Sequence, residues 1–422
     1  MRVLLISANK GAGLLPVFPL GPAYLASNLD GDHEVRALDL FLTPGYAQAL
    51  EETIVSFQPE VIGVSVRNLD AQDYYHPVSL LDDPKAVVSL CRRLSGAPIV
   101  IGGPAVGIVP REMLSYLGAD LAVAGEGESA FRRLVDGGAA SCSTRAPNVA
   151  ASVEEDLSRL RPPDWRLFGL TEYLARGVTA NVQTKRGCPF ACVYCSTPLL
   201  EGRHVRLRHP EAVVDELETL VKDFGARMAH FVDNNFNYPP EHAAAICEAI
   251  IARGLRIRWI CGLHPAYVTE ELVGLLKRAG CVFAGVGNES GSAVMLANLG
   301  RNFEPGDVER SCRLLKEAEI VHWAYLLIGG PGETMQSVEE SLAQMEALAP
   351  ASVHVTVGIR IYPHTPLQAT ALREGVLSES DSLLFPAFYL SPAIAPTIGD
   401  RMKAVCAAHP DWGCNAVPPS GL

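Results

Sequence analysis

The stretch "KRGCPFACVYCSTP" brings Cys188, Cys192 and Cys195 into one short loop. Their C-x3-C-x2-C spacing is too tight for a disulfide framework, and no second pair or suitably spaced histidine completes a four-ligand zinc site. Thiolates favour zinc, copper(I) and iron-sulfur clusters. Three of them can hold three irons of a [4Fe-4S] cube, leaving the fourth iron open to an external ligand. The other cysteines, Cys91, Cys142, Cys247, Cys261, Cys281, Cys312, Cys406 and Cys414, are scattered and read as packed or surface thiols. An odd total of 11 argues for reduced thiols rather than bridges.

The chain that must position this loop has 422 residues, enough for two or three domains. With 48% hydrophobic and 19% charged residues it reads as globular. No apolar run suggests a membrane span, and the N-terminus lacks the pattern of a cleaved signal, so a cytoplasmic location is expected. Residues 1–150 carry 11 basic against 16 acidic side chains and the remainder 24 against 31, so neither part offers a basic footprint for nucleic acid.

Five apolar runs, "VLLIS", "VRALDL", "VIGVSV", "PIVIGG" and "LAVAGEG", alternate with amphipathic stretches over residues 1–137. That is the pattern of a parallel sheet covered by helices, with "ANKGAG", "RNLD", "GGPA" and "GEGE" lining one edge as a ligand crevice. Residues 138–177 lose the periodicity and read as a linker. Over 178–375 six further strand-like segments alternate with helices, among them "HPEAVVDELETLVKDFG", whose Val213, Val214, Leu217, Leu220, Val221 and Phe224 share a face. This predicts a partial barrel of six parallel strands, with the cysteine loop after the first strand and therefore at the C-terminal mouth. Residues 376–422 form a short C-terminal extension without an assigned role.

Taken with an aromatic, Tyr194, before the last cysteine, these motifs resemble the radical S-adenosylmethionine (SAM) superfamily. The resemblance implies a [4Fe-4S] cluster on Cys188, Cys192 and Cys195, with SAM chelating the open iron and yielding a 5'-deoxyadenosyl radical. It also implies SAM contacts along the strand ends: Asp233, Asn234 and Asn235 in "DNNF"; Glu289, Ser290 and Ser292 in "GNESGS"; Gly329 and Gly330 in "IGGPGE"; Arg360 and Tyr362 in "RIYPHTPL". His364 departs from the glycine usual there, and is either tolerated by the turn or placed near substrate.

The α/β domain ahead of the barrel resembles the cobalamin-binding, Rossmann-like domain of one subclass of this superfamily. By resemblance Arg67, Asn68, Gly102, Gly103, Gly125, Glu126 and Gly127 approach cobalamin. The D-x-H-x-x-G motif is absent, and His33 and His76 read as surface or loop histidines. Arg67 either lies under the corrin, where a guanidinium has no lone pair to give cobalt, or pairs with Asp70 or Asp73. The whole resembles a cobalamin-dependent radical SAM C-methyltransferase acting through methylcobalamin on a small metabolite, with an external reductant such as flavodoxin or ferredoxin. A radical dehydration, rearrangement or cyclisation without methyl transfer is the alternative, and a non-catalytic iron-sulfur or cobalamin sensor a remote one.

Overall fold

A computed structural model of the chain describes residues 1–10, 16–29, 31–138 and 149–416. Cys142 and residues 11–13 of "ANKGAG" lie outside the described residues.

The first sheet comprises β1 (Arg2–Ser7), β2 (Glu34–Asp39), β3 (Val61–Ser65), β4 (Ile99–Gly102), β5 (Leu121–Gly125) and β6 (Val149–Ser152). All pairings are parallel, in the order β2-β1-β3-β4-β5-β6. Strands buried on both faces read as unbroken apolar runs, and Val3, Leu4, Leu5 and Ile6 are at most 2% exposed. The order places the ends of β1, β3, β4 and β5 side by side, as the four polar endings require. It reverses direction between β1 and β3, where open α/β sheets bind ligands. The stretch expected to be a bare linker contributes β6, which joins β5 by its register Ala122 to Val149 through Gly125 to Ser152. Its Ala, Ser and Val composition hid a strand only four residues long.

The second sheet starts with β7 (Ala180–Val182), from which the two-residue strands β8 (Lys185–Arg186) and β9 (Arg206–Leu207) form an antiparallel clasp around the cysteine loop. It continues with β10 (Met228–Phe231), β11 (Arg258–Leu263), β12 (Cys281–Glu289), β13 (Val321–Ile328) and β14 (Ser352–Val357), all parallel and in sequence order. The helix at Pro210–Phe224 buries Val213, Val214, Leu217 and Leu220 completely, with proline in its first turn and Gly225 in the left-handed C-cap. These six strands are the expected partial barrel.

The C-terminal extension is part of the fold. Beyond the short pair β15 (Ile359–Arg360) and β16 (Phe388–Tyr389), β17 (Trp412–Cys414) adds to β14 as a seventh parallel strand. Asn415 then holds the Val357 backbone from both sides, accepting from its N–H at 2.8 Å and donating to its carbonyl at 2.9 Å. The open edge of the barrel is thereby capped by side-chain hydrogen bonds.

Candidate functional site

The cysteine loop is anchored by its backbone. Cys188 N–H donates to the Gly202 carbonyl at 3.1 Å, and Val193 N–H to the Leu299 carbonyl at 3.0 Å. Gly187 (φ 92°) lets the chain pass the clasp, since a Cβ there would sit 2.1 Å from the His204 carbonyl oxygen. Gly300 (φ 70°) does the same under the loop, 2.5 Å from the Ala191 carbonyl. Gly300→Ala is expected to cost about 1–3 kcal/mol in strain and to reduce the iron retained per chain, read by thermal unfolding and iron assay.

All three cysteines are unbridged. Among the described residues no three His, Cys, Asp or Glu side chains converge on a point fit for one metal ion. Burial pushes the Cys188 thiol up to about 11 and also raises Cys192, but the Arg301 guanidinium donates to Cys192 Sγ at 2.9 Å and favours its thiolate. Arg301 also lies 3.9 Å from Glu289. Sequence reasoning missed this arginine, although an arginine 12 residues after a strand-end glutamate was the available signal.

The residues expected around SAM divide into two groups. Tyr194, whose phenol burial raises, lies within electrostatic reach of Glu289, Arg301, Cys192 and Cys195. Glu289 ends β12 in the left-handed region at φ 60°, a conformation that turns its side chain toward the mouth at a strain cost. Asn234 accepts from Thr197 at 3.2 Å and donates to Glu201 at 2.8 Å beside the loop, and Asn235 offers its carbonyl to Lys185. Tyr362 lies near Cys195 and Asp70, burial pushing its phenol up to about 12. These five border the loop.

The others make close contacts within the protein. Asp233 accepts from Thr184 N–H and Oγ1, both at 2.7 Å, and from Lys185 N–H at 3.3 Å, with no exposed side-chain surface. It fastens the strand below the cysteines. Ser341 gives its hydroxyl proton to the Ser337 carbonyl, so Ser290 must donate to Ser341 at 2.9 Å, and it accepts from Ser292 N–H at 3.1 Å. Ser292 in turn donates to the Glu340 carboxylate. Gly329 and Gly330 make room for packing: a Cβ would come within 2.6 Å of Leu390 at the first and 2.9 Å of Leu299 at the second. Arg360 is spent on Asp70 at 2.7 Å and on the Ile361 and Leu383 carbonyls, joining barrel to first domain. His364 is exposed, with φ 60° and its N–H bonded to Gln368, so the turn tolerates it.

The strand ends of the first sheet and the mouth of the barrel enclose a cavity of about 420 Å³. Gly102, Gly103, Gly125 and Gly127 line it from one side and Asn181, Gln183 and Val232 from the other. A Cβ on Gly103 would meet the Val66 carbonyl at 2.7 Å, and one on Gly125 the Ser152 carbonyl at 2.4 Å, so both wall positions require glycine. An apolar, strand-end cleft with few polar groups fits part of a large planar cofactor. Asn68 lines a smaller neighbouring pocket of about 230 Å³. Arg67 lines both, its N–H held by Asn9 Oδ1 at 3.1 Å. Asp70 is committed to Arg360, and Asp73 to the backbone of Tyr75 and His76, so the pairing reading for Arg67 fails. Its guanidinium has no carboxylate partner among the described residues, and burial lowers its pKa.

Glu126 also lines the cavity and is bonded within the protein. Arg206 holds both of its oxygens, at 2.6 and 2.8 Å, Glu154 N–H adds a third bond at 2.7 Å, and Arg186 lies 3.4 Å away. Arg186 also donates to Glu128 at 2.6 Å. The two arginines flank the cysteine loop on β8 and β9, so "GEGES" docks the loop onto the first domain. Both were missed, although a buried arginine requires carboxylates and "KRGC" and "GEGE" supply the two sides.

Comparison with known proteins agrees with this architecture. The family model of the Radical SAM superfamily matches residues 182–345, and that of the B12 binding domain residues 12–135. An uncharacterized methyltransferase of Pyrococcus horikoshii is 27% identical over 398 residues, covering 89% of this chain and 84% of that one. Tryptophan 2-C-methyltransferase of Streptomyces laurentii is 24% identical, covering 83% and 72%. Among solved structures, the radical S-adenosylmethionine methyltransferase TsrM of Kitasatospora setae, with cobalamin and a [4Fe-4S] cluster bound, superposes with a TM-score of 0.86 at 24% identity, covering 98% of this chain and 92% of that one. The B12 model falls on the first domain and the Radical SAM model on the barrel, and the chain belongs to the radical SAM superfamily as a member with a B12-binding domain ahead of its barrel.

Proposed function

We propose that the protein is a cobalamin-dependent C-methyltransferase that moves a methyl group from SAM to a carbon of a small molecule. The observation that carries this reading is the shared cavity, one wall glycine-rich and from the first domain, the other from the barrel beside the cysteine loop. When bound, cobalamin supplies a methyl carrier and the cluster an electron for SAM. The chain's own part is placement: Cys188, Cys192 and Cys195 would hold the cluster, Arg301 steadies the Cys192 thiolate, and Glu289, Tyr194 and Asn234 border the SAM position. Gly102, Gly103, Gly125 and Gly127 leave room for cobalamin, and Arg67 at the switch point offers cobalt no lone pair. Methyltransferases among the relatives, including the cytidylyl-2-hydroxyethylphosphonate methyltransferase of Streptomyces wedmorensis at 23% identity, support the reading. A cytoplasmic location and an external one-electron reductant complete it. Among the described residues no helix is long and apolar enough to cross a membrane.

Anaerobically reconstituted protein with methyl-labelled SAM and candidate substrates should release S-adenosylhomocysteine and place label on carbon. The anaerobic magnesium-protoporphyrin IX monomethyl ester cyclase of Rubrivivax gelatinosus, 25% identical over 81% of this chain, favours a second reading in which a ring closes without methyl transfer. Release of 5'-deoxyadenosine with no labelled product would select that reading and sink the first.

A further inference from the structure

The carboxylates described so far around the mouth each have a cation beside them. Asp233 lies 3.9 Å from Lys185, Glu289 3.9 Å from Arg301, Glu126 2.6 Å from Arg206 and Glu128 2.6 Å from Arg186. Glu201, the last residue of the short helix Thr197–Glu201 that follows the cysteine loop, is different. It lines the shared cavity, and it forms no ion pair among the described residues.

Its two oxygens are used unequally. Oε2 accepts from Gly187 N–H at 2.9 Å and from the Asn234 amide at 2.8 Å, while Oε1 accepts from no group among the described residues. Arg206 fixes the backbone by donating to the Glu201 carbonyl at 2.6 Å. Thr197 completes a link to the loop, its N–H donating to Cys195 Sγ at 3.4 Å and its hydroxyl to Asn234 at 3.2 Å. The carboxylate is thereby tied in position to a thiol that would carry the cluster. A brace needs one oxygen, and Oε2 supplies it.

The surroundings do not cancel the charge. Arg186 favours the ionised form, but it already donates to Glu128 and lies 3.4 Å from Glu126, and burial raises the Glu201 pKa. Arg186 and Arg206 thus serve three carboxylates, Glu126, Glu128 and Glu201, which leaves one negative charge over. Glu128 Oε2 is buried without a partner and adds to the excess. Arg67, the unpaired cation of the same cavity, belongs to the first-domain wall and forms no ion pair with Glu201. A buried carboxylate in this state is costly until a cation joins it.

We propose that Glu201 is the counter-charge to the sulfonium of SAM, and that it makes the site select SAM over its demethylated product, S-adenosylhomocysteine. The proposal rests on the methyltransferase reading, in which the methyl-bearing sulfur faces the cavity shared with cobalamin. The two molecules have the same adenosine and amino-acid groups and differ in the methyl group and the positive charge on sulfur. Selectivity is a difference of two affinities, so a contact made to that charge alone separates them. Once the methyl group has left, the sulfur is neutral, the attraction to Glu201 is lost, and product gives way to fresh SAM.

The test uses anaerobic cluster- and cobalamin-loaded protein without reductant, so that neither ligand turns over, and measures binding of SAM and of S-adenosylhomocysteine by titration calorimetry. The wild type should bind SAM at least about tenfold tighter, or about 1.4 kcal/mol. Glu201→Gln keeps an oxygen for Gly187 and Asn234 and removes the charge. It should weaken SAM about tenfold and change S-adenosylhomocysteine by less than about twofold, with iron and cobalt content unchanged. Glu201→Met is the second variant should the first not load its cluster, since the ratio of two ligands on one protein is insensitive to general damage. Equal binding of the two ligands by the wild type, a preference that survives both variants, or equal weakening of both ligands overturns the proposal. Methyl-label transfer by the wild type, measured separately with reductant, distinguishes the two readings: a charge-dependent preference without label transfer counts against the methyltransferase and leaves the counter-charge standing.

Discussion

Cys192→Ala is expected to remove the cluster while leaving the fold in place. Cys192 is half-buried, and its loop is anchored by backbone hydrogen bonds from Cys188 and Val193 that the substitution does not touch. The thiolate is one of three that would carry the cluster, and without it Arg301 would keep Glu289, 3.9 Å away, and the Phe303 ring. Loss of an outer partner of a metal ligand typically costs about 10–100-fold in metal affinity or activity, and loss of the ligand itself should exceed that. Iron should fall from about four per chain to a trace, SAM cleavage should fall by more than about 100-fold, and cobalamin retention should be unchanged. Cys91→Ala is the control: that thiol is fully buried in the first domain, so its loss should cost about 1 kcal/mol of stability and no iron. Full iron content in the Cys192 variant would place the cluster elsewhere.

The contrast between these two thiols shows what was legible before the structure. Spacing distinguished Cys192 from Cys91, and period distinguished strands from helices, because both are statements about positions along the chain. The direction of a polar side chain is a different kind of fact. Asp233, Ser290, Arg360 and Glu126 all lie at strand ends, where ligand contacts are expected, and each has a hydrogen-bond partner 49 to 290 residues away. Buried polar groups must be satisfied, and a sequence read locally offers no list of such distant donors. Asn234 and Glu289, less deeply enclosed, stayed on the mouth side. The same reasoning hid β6 and β17, whose three or four residues are strands only because a sheet edge is present to pair with them.

Arg206→Met tests whether the docking of the loop onto the first domain sets the reaction geometry. Arg206 is 6% exposed, holds both oxygens of Glu126, and donates to the carbonyls of Glu154 and Glu201. Removing one partner of a buried pair costs about 3–5 kcal/mol, chiefly because the surviving charge stays buried. Arg186, 3.4 Å from Glu126, offsets part of this, so the lower end is expected. The melting temperature should drop by about 5 °C or more. The double variant Arg206→Met with Glu126→Leu should recover part of it, since it leaves no unpaired charge, although the Glu154 N–H and the Glu154 and Glu201 carbonyls lose their partners. Activity should behave differently from stability. The cysteines themselves are untouched, so iron content should hold, but a displacement of the loop by about 1 Å can cost about 100-fold in rate. Methyl transfer should therefore fall much further than iron in the single variant, and should remain low in the double one if the paired charges set the register of the two domains. A double variant that regains both stability and full methyl transfer would show that the clamp only holds the domains together, and that the cavity walls alone determine where the cofactors lie.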